Sequence, residues 1–295
     1  MITKKQFDVL NYLTEQNTKI LQRNIAKGTG LSLGTVNKVM GELTKSGYVA
    51  EGQITEQGFE ALEPYRVKRA VFIAAGFGSR LAPITFNTPK PLVRVKGKRI
   101  IDSLLDAVLA QGIKEIYIVR GYLGEQFDQL LYKYPMIKFI ENPAYNEANN
   151  ISSMYCARYL LKSAYVLEAD LLLYNPDLIQ KYQYRSNYLG VPVEKTDDWC
   201  FKVNNGVITK MAVGGVDCYH MFGISFWSED DGARLADDIQ EVYHAPGGKE
   251  RYWDQVALEY HMNHYQIGVR ECTFDDLTEI DTFGELKKID KTYDM

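Results

Sequence analysis

An apolar run, Ala70-Val71-Phe72-Ile73-Ala74-Ala75, breaks abruptly into Gly76-Phe77-Gly78-Ser79-Arg80-Leu81. A run this short, apolar without alternation and closed by glycines, reads as a strand buried on both faces, which requires a parallel sheet covered by helices. Comparable runs recur at 116–119, 137–140, 165–167, 188–191 and 222–226, with amphipathic stretches such as 101–111 between them. Strands interleaved with helices predict an α/β, Rossmann-like sheet with flanking helices, whose ligands gather at the carboxyl ends of the strands.

The first 65 residues have a different texture. Phe7, Leu10 and Leu13 form one helical stripe, and Leu33, Val36, Val39, Met40 and Leu43 form another. Ser32 is placed to cap the second, Gly47 to stop it, and two short extended runs flank Glu51-Gly52. This pattern resembles the winged helix-turn-helix modules of transcription regulators, with 33–46 in the place of the recognition helix. From Lys19 to Lys45 the local charge is +4. Thr35, Asn37 and Lys38 can reach base edges of DNA, and a docking module that supports a homodimer is the other reading. Pro64 and the charged residues after it mark the boundary, giving a small N-terminal winged-helix domain over 1–65 and a second domain over 69–295.

The net charge of −4 argues against wholesale nucleic-acid binding. No apolar run is long enough to span a bilayer and the first residues lack a signal-like core, so a cytoplasmic protein without membrane contact is expected. Cys156, Cys200, Cys218 and Cys272 are widely spaced and read as buried thiols.

The glycine loop carries the chemistry. Glycines after a buried strand let backbone N–H groups approach an anion, although they serve equally well in a plain strand-to-loop turn. No Lys-Ser/Thr follows, so this is not a P-loop, and Leu81 occupies the third glycine position of a dinucleotide fingerprint. Arg80 and Lys90, the latter in Pro89-Lys90-Pro91-Leu92, add a fork donor and a point charge that can hold a polyphosphate.

These residues resemble the sugar-phosphate nucleotidyltransferase family, whose signature is Ala-Ala-Gly, then Gly-x-Arg, then Pro-Lys. Over about residues 69 to 290 the chain is similar to its CTP:phosphocholine cytidylyltransferases, through GFGSRL, NTPKPLV, GYLGEQFD, Asn149-Asn150, EAD at 168–170, GISFW, YWD and EID at 279–281. The resemblance implies Arg80 and Lys90 as catalytic cations. It implies Ala74, Ala75, Gly76, Gly78, Ser79, Gly121, Tyr122, Asn150 and Ser152 near the nucleotide, and Asp170, Asp281 and Glu279 as ligands of Mg²⁺. Asn150 also suits the start of a helix, and Gly121-Tyr122 a simple turn. Trp199, Tyr252, Trp253 and Asp254, with Asp198, suit a quaternary ammonium pocket, where ring faces attract the cation and a carboxylate balances it.

The implied reaction is attack of phosphocholine on the α-phosphorus of CTP, giving CDP-choline and pyrophosphate without a general base. Other acceptors are an aminophosphonate such as 2-aminoethylphosphonate, phosphoethanolamine, or a sugar 1-phosphate. A DNA-binding regulator with a nucleotide-sensing transferase-like domain is the reading from another class. Trp227 reads as core or pocket wall, and His261 with His264 as surface or core, since the sequence offers no third ligand beside them.

Overall fold

A computed structural model describes residues 1–16, 18 and 20–294; Lys19, which opens the basic run, lies outside the described residues. The chain divides into two compact units, Met1–Arg66 with Tyr182–Tyr184, and the remainder.

The first unit contains α1 (Lys4–Thr14), α2 (Gln22–Thr29), α3 (Leu33–Lys45), the two-stranded wing β1 (Val49–Ala50) and β2 (Gln53–Ile54), and α4 (Glu56–Leu62). Ser32 caps α3 by accepting from the Thr35 N–H at 3.2 Å. Glu51 and Gly52 both have positive φ, as a two-residue hairpin whose turn matches strand twist requires. Leu10, Ile25, Val36 and Leu43 are fully buried in one cluster. Leu33, expected on that stripe, is exposed at the first turn of α3. Tyr182 joins the cluster and Tyr184 stacks on Tyr65, with centroids 5.4 Å apart.

The second unit runs β3 (Arg69–Ala74), β4 (Arg94–Val95), β5 (Lys98–Arg99), α5 (Ile100–Ala110), β6 (Glu115–Arg120), β7 (Ile137–Glu141), α6 (Ile151–Ala157), β8 (Ala164–Glu168) and β9 (Leu171–Leu173). It continues with β10 (Asn187–Asn204), β11 (Val207–Trp227), α7 (Glu229–His244), β12 (Gly268–Glu271), β13 (Leu277–Glu279) and α8 (Phe283–Ile289). Seven strands form one sheet in the order β10-β12-β11-β8-β3-β6-β7. β8, β3, β6 and β7 are parallel; β11 runs antiparallel to β8 and forms a long hairpin with β10. Alternate residues of β3 face opposite ways, so Phe72 packs in the cluster holding Ile101, Leu104, Leu105 and Val108 of α5, while Val71 packs with Val119 and Ala157. Each of the fully buried Val, Leu, Ile and Phe side chains among these contributes about 1.5–3 kcal/mol. Farther along the sheet, Leu235 and Ile239 of α7 share a cluster with Tyr188, Trp227 and Trp253. Cys200, Cys218 and Cys272 are buried, Cys156 is half-buried, and all four thiols are free. Among the described residues no helix is long and apolar enough to cross a membrane.

The register fixes the working edge. Ile73 of β3 pairs with Glu168 at the end of β8, so the glycine loop and Asp170 emerge side by side. β13 pairs with β9, Glu279 opposite Leu171, and the Ile280 N–H donates to the Asp170 carbonyl at 3.3 Å. That pairing draws a segment from the far end of the sequence to the same edge.

Candidate active site

The glycine loop is shaped by two contacts. Gly78 has φ +61°, and a Cβ there would stand 2.9 Å from Cβ of Lys90 and 3.2 Å from Cγ2 of Thr85. Only glycine meets both the left-handed backbone and the close approach. Gly76, by contrast, faces open space.

Lys90 is buried, and its Nζ donates to Oδ2 of Asp170 at 2.8 Å and to Oδ1 of Asp281 at 2.9 Å. Arg80, largely exposed, reaches the same Asp281 oxygen at 2.8 Å. Burial disfavours the Lys90 ammonium, but the two carboxylates outweigh it and raise its pKa. Burial also works against the Asp281 carboxylate, and Lys90 and Arg80 overcome it, so its pKa is lowered.

Behind this pair lies an acidic cluster. Glu168, Asp170 and Glu279 offer carboxylate oxygens all within 4.8 Å of one another. Oδ1 of Asp170 is buried with no hydrogen-bond partner. Burial, then the charges of Asp170 and Asp281, push the Glu279 carboxyl up to about 9; burial and the neighbouring acids likewise raise Glu168 well above the usual range. Crowded hard oxygens, one of them orphaned, fit a divalent cation such as Mg²⁺. Glu168 joins the expected Asp170 and Glu279 in this cluster. Asp281, also expected there, stands beside it, paired with Lys90 and Arg80 and hydrogen-bonded to Glu279. Glu168 is accommodated because its neighbour on β11 is Gly223, where a Cβ would lie 2.3 Å from Oε2 of the glutamate.

A cavity of about 500 Å³ opens over this edge. Its lining includes Ala75, Gly76, Arg80, Asn150 and the acids Glu168, Asp170, Glu279 and Asp281, and also Asp198, Trp199, Met211, Met221, Tyr252 and Asp254. The Trp199 and Tyr252 rings meet nearly edge to face with centroids 5.4 Å apart. Asp254 is buried, accepts from the Tyr188 hydroxyl at 2.8 Å, and has its pKa pushed up to about 7 by burial.

Several predicted residues stand elsewhere. Trp253, expected in the pocket, is buried in the core near Tyr188 and Trp227 and is not among the lining residues. Ser152, expected at the nucleotide, is also buried; its hydroxyl accepts from Asn142 at 2.9 Å and donates to the Asn149 carbonyl, fastening the start of α6. Asn150 lines the cavity, but its Oδ1 accepts from the Trp253 N–H at 2.9 Å rather than capping α6. Gly121 packs against Tyr145, and the Tyr122 ring lies 5.1 Å from that of Phe77 in the glycine loop. Neither is among the residues that line the cavity, nor are Ala74, Gly78 and Ser79. Lys90 too lies behind the lining, reaching it through its carboxylates.

A glycine loop at a parallel-strand end, a fork cation, and a lysine-braced acidic cluster facing one cavity define a phosphate-transferring enzyme of the nucleotidyltransferase kind. Comparison with known proteins agrees. Residues 69–188 match the nucleotidyl transferase model, and residues 2–50 match the winged helix-turn-helix DNA-binding model. The chain is 36% identical over 228 residues to the 2-aminoethylphosphonate cytidylyltransferase of Lancefieldella rimae, covering 76% of this chain and 92% of that protein. It is 30% identical to the choline-phosphate cytidylyltransferase of Streptococcus pneumoniae, covering 76% and 97%. The solved structure of the pneumococcal CTP:phosphocholine cytidylyltransferase superposes with a TM-score of 0.71 at 30% identity, over 77% of this chain and 99% of that one. The chain belongs to the nucleotidyl transferase family, and within it is a cytidylyltransferase with a winged helix-turn-helix domain at its N-terminus.

Proposed function

We propose that the enzyme transfers the cytidylyl group of CTP to a small phosphonate or phosphate bearing an amino group, with 2-aminoethylphosphonate as the preferred acceptor. The observation that carries the acceptor is that the rings of Trp199 and Tyr252 meet in the cavity lining, which also holds two acids, Asp198 and Asp254. With Trp253 in the core, only two ring faces remain for a quaternary ammonium. A primary ammonium gains more here, because carboxylate oxygens accept its N–H donors. Similarity to the Lancefieldella rimae enzyme supports the same choice. Phosphocholine is the second reading, favoured by the ring pair.

In this reading an acceptor oxygen, already ionised, attacks the α-phosphorus; the new O–P bond forms as the bond to pyrophosphate breaks, and no proton moves. Glu168, Asp170 and Glu279 would hold Mg²⁺, which when bound neutralises charge on the triphosphate. Lys90 fixes Asp170 and Asp281 and keeps a third donor beyond the two it spends on them. Arg80 and the Gly76 amides bind triphosphate oxygens, and Asn150 reads the nucleoside. The winged-helix unit binds duplex DNA through the exposed face of α3, which presents Asn37, Lys38 and Lys45.

The test is pyrophosphate release with CTP and Mg²⁺ on 2-aminoethylphosphonate, phosphocholine and phosphoethanolamine. A higher kcat/KM for 2-aminoethylphosphonate is expected; preference for phosphocholine would reverse the acceptor, and inactivity on every amine would end the reading.

A further inference from the structure

Away from the cavity, the second unit holds another group of metal-ligating side chains. Asp238 and Glu241 lie three residues apart on α7, and His261 and His264 three residues apart on the turns that follow residue 255. His261 ends a single π-helical turn, Val256–Tyr260, and His264 ends the short 3₁₀ turn Met262–His264. Single π turns of this kind recur at functional sites. Here the two pairs face each other. Asp238, His261 and His264 offer ligand atoms all within 4.8 Å of one another. The imidazoles stack with centroids 4.8 Å apart, and Nδ1 of His264 lies 3.0 Å from Oδ2 of Asp238. Glu241 approaches from the remaining side, its Oε2 4.0 Å from Nε2 of His261.

We propose that Asp238, His261 and His264, with Glu241 closing the fourth side, bind a transition-metal dication of the zinc type, at a site separate from the catalytic carboxylates. Two imidazoles and two carboxylates form a donor set that zinc accepts in tetrahedral geometry, and one that Mg²⁺, which prefers oxygen, does not select. A purely structural network would need less. Asp238 is already held by the Tyr265 hydroxyl and by His264, and that trio accounts for the buried carboxylate without His261. His261 instead lies against His264, and its gap to Glu241 is too long for a hydrogen bond. A bridging ion supplies the contact that neither ring can make with the other. Arg234, which touches this group, is occupied: it donates to the His264 carbonyl at 2.7 Å and to Asp231. Nδ1 of His264 and Oδ2 of Asp238, 3.0 Å apart, are close enough to ligate one ion together, and the Tyr265 hydroxyl, which donates to Asp238, orients that carboxylate as an outer partner. The bound ion would fasten the turns at 256–264 to α7, just beyond the pocket residues Tyr252 and Asp254.

The experiment is a titration of the full chain with Zn²⁺, followed through the imidazole resonances of its four histidines, with Co²⁺ as the optical probe. Zn²⁺ should shift His261 and His264 together at one equivalent, leaving His220 and His244 in place, and Co²⁺ should give the intense visible absorption of a tetrahedral centre. The double variant His261→Gln/His264→Gln should lose both, and Asp238→Asn, which removes a ligating carboxylate, should weaken Zn²⁺ binding by more than the about 10–100-fold that loss of an outer partner costs. Asp170→Asn, which alters only the catalytic cluster, should keep both. If the double variant does not fold, the exposed Glu241→Gln replaces it, with a weakened Co²⁺ band expected. Unmoved His261 and His264 resonances at saturating Zn²⁺ would overturn the proposal, even if the ion binds elsewhere.

Discussion

Replacing Lys90 with methionine keeps the length of the side chain and removes its charge. The ammonium sits 2.8 Å from Asp170 and 2.9 Å from Asp281. At an effective dielectric of about 20, each contact is worth about 6 kcal/mol of Coulomb energy before desolvation. Burying the ammonium consumes several kcal/mol of that, and removing one partner of a buried pair typically costs 3–5 kcal/mol. Both carboxylates keep some solvent contact and Arg80 still reaches Asp281, so the expected loss is about 3 kcal/mol. A divalent ion should restore most of it, since an ion at 100 times its dissociation constant adds about 2.7 kcal/mol. Turnover should not recover and should stay down about 10²-fold, because the ion cannot replace the missing donor. The assay is urea unfolding read by tryptophan fluorescence with EDTA and with Mg²⁺, alongside pyrophosphate release. Trp199, Trp227 and Trp253 all lie in the larger unit, so fluorescence reports that unit alone. A variant as stable as the parent in EDTA, or one with near-normal turnover, would refute this account of Lys90.

Gly78→Ala should cost about 1–2 kcal/mol through its positive φ and the 2.9 Å approach to Lys90, and should lower kcat/KM for CTP; steady-state kinetics and melting check this. Asp254, with its folded pKa near 7 against an ordinary 3.8, binds more protons folded than unfolded between those values. Its contribution to stability is therefore fullest below pH 4, falls as pH rises towards 7, and is level above that. Asp254→Asn should remove up to about 4 kcal/mol of this decline, seen as a flatter stability profile than the parent's. Trp199→Ala should weaken phosphocholine use about tenfold while affecting 2-aminoethylphosphonate less, measured as the ratio of kcat/KM values.

The parallel part of the sheet and the glycine loop are legible in sequence because burial on both faces leaves uninterrupted apolar runs and the loop needs glycine. The hairpin is less so. Predicted strands at 188–191 and 222–226 extend to Asn187–Asn204 and Val207–Trp227, since residues such as Glu194, Lys195, Asp197 and Lys202 face solvent and carry no burial signature. Trp253 misleads for a related reason: the cavity lining takes Tyr252 and Asp254 and skips the residue between them. Adjacency in sequence therefore suggested a shared pocket where the backbone separates the side chains. Glu168 sits in the quoted EAD motif, yet its role becomes visible only once β11 sets Gly223 beside it. For His261 and His264, the acid beside them, Asp238, lies more than twenty residues upstream on α7, beyond the reach of any local spacing rule.

The Gly223–Glu168 contact also limits the order in which this sequence can change. A methyl at position 223 collides with the carboxylate while the glutamate is present, yet would be harmless beside a shortened side chain. The permissive first step would be loss of the acid, which disrupts the carboxylate cluster, so neither substitution opens a neutral path to the other. Position 223 is thus coupled to a partner on another strand, and a lineage that retains the acid should accept a side chain there only if the glutamate shifts.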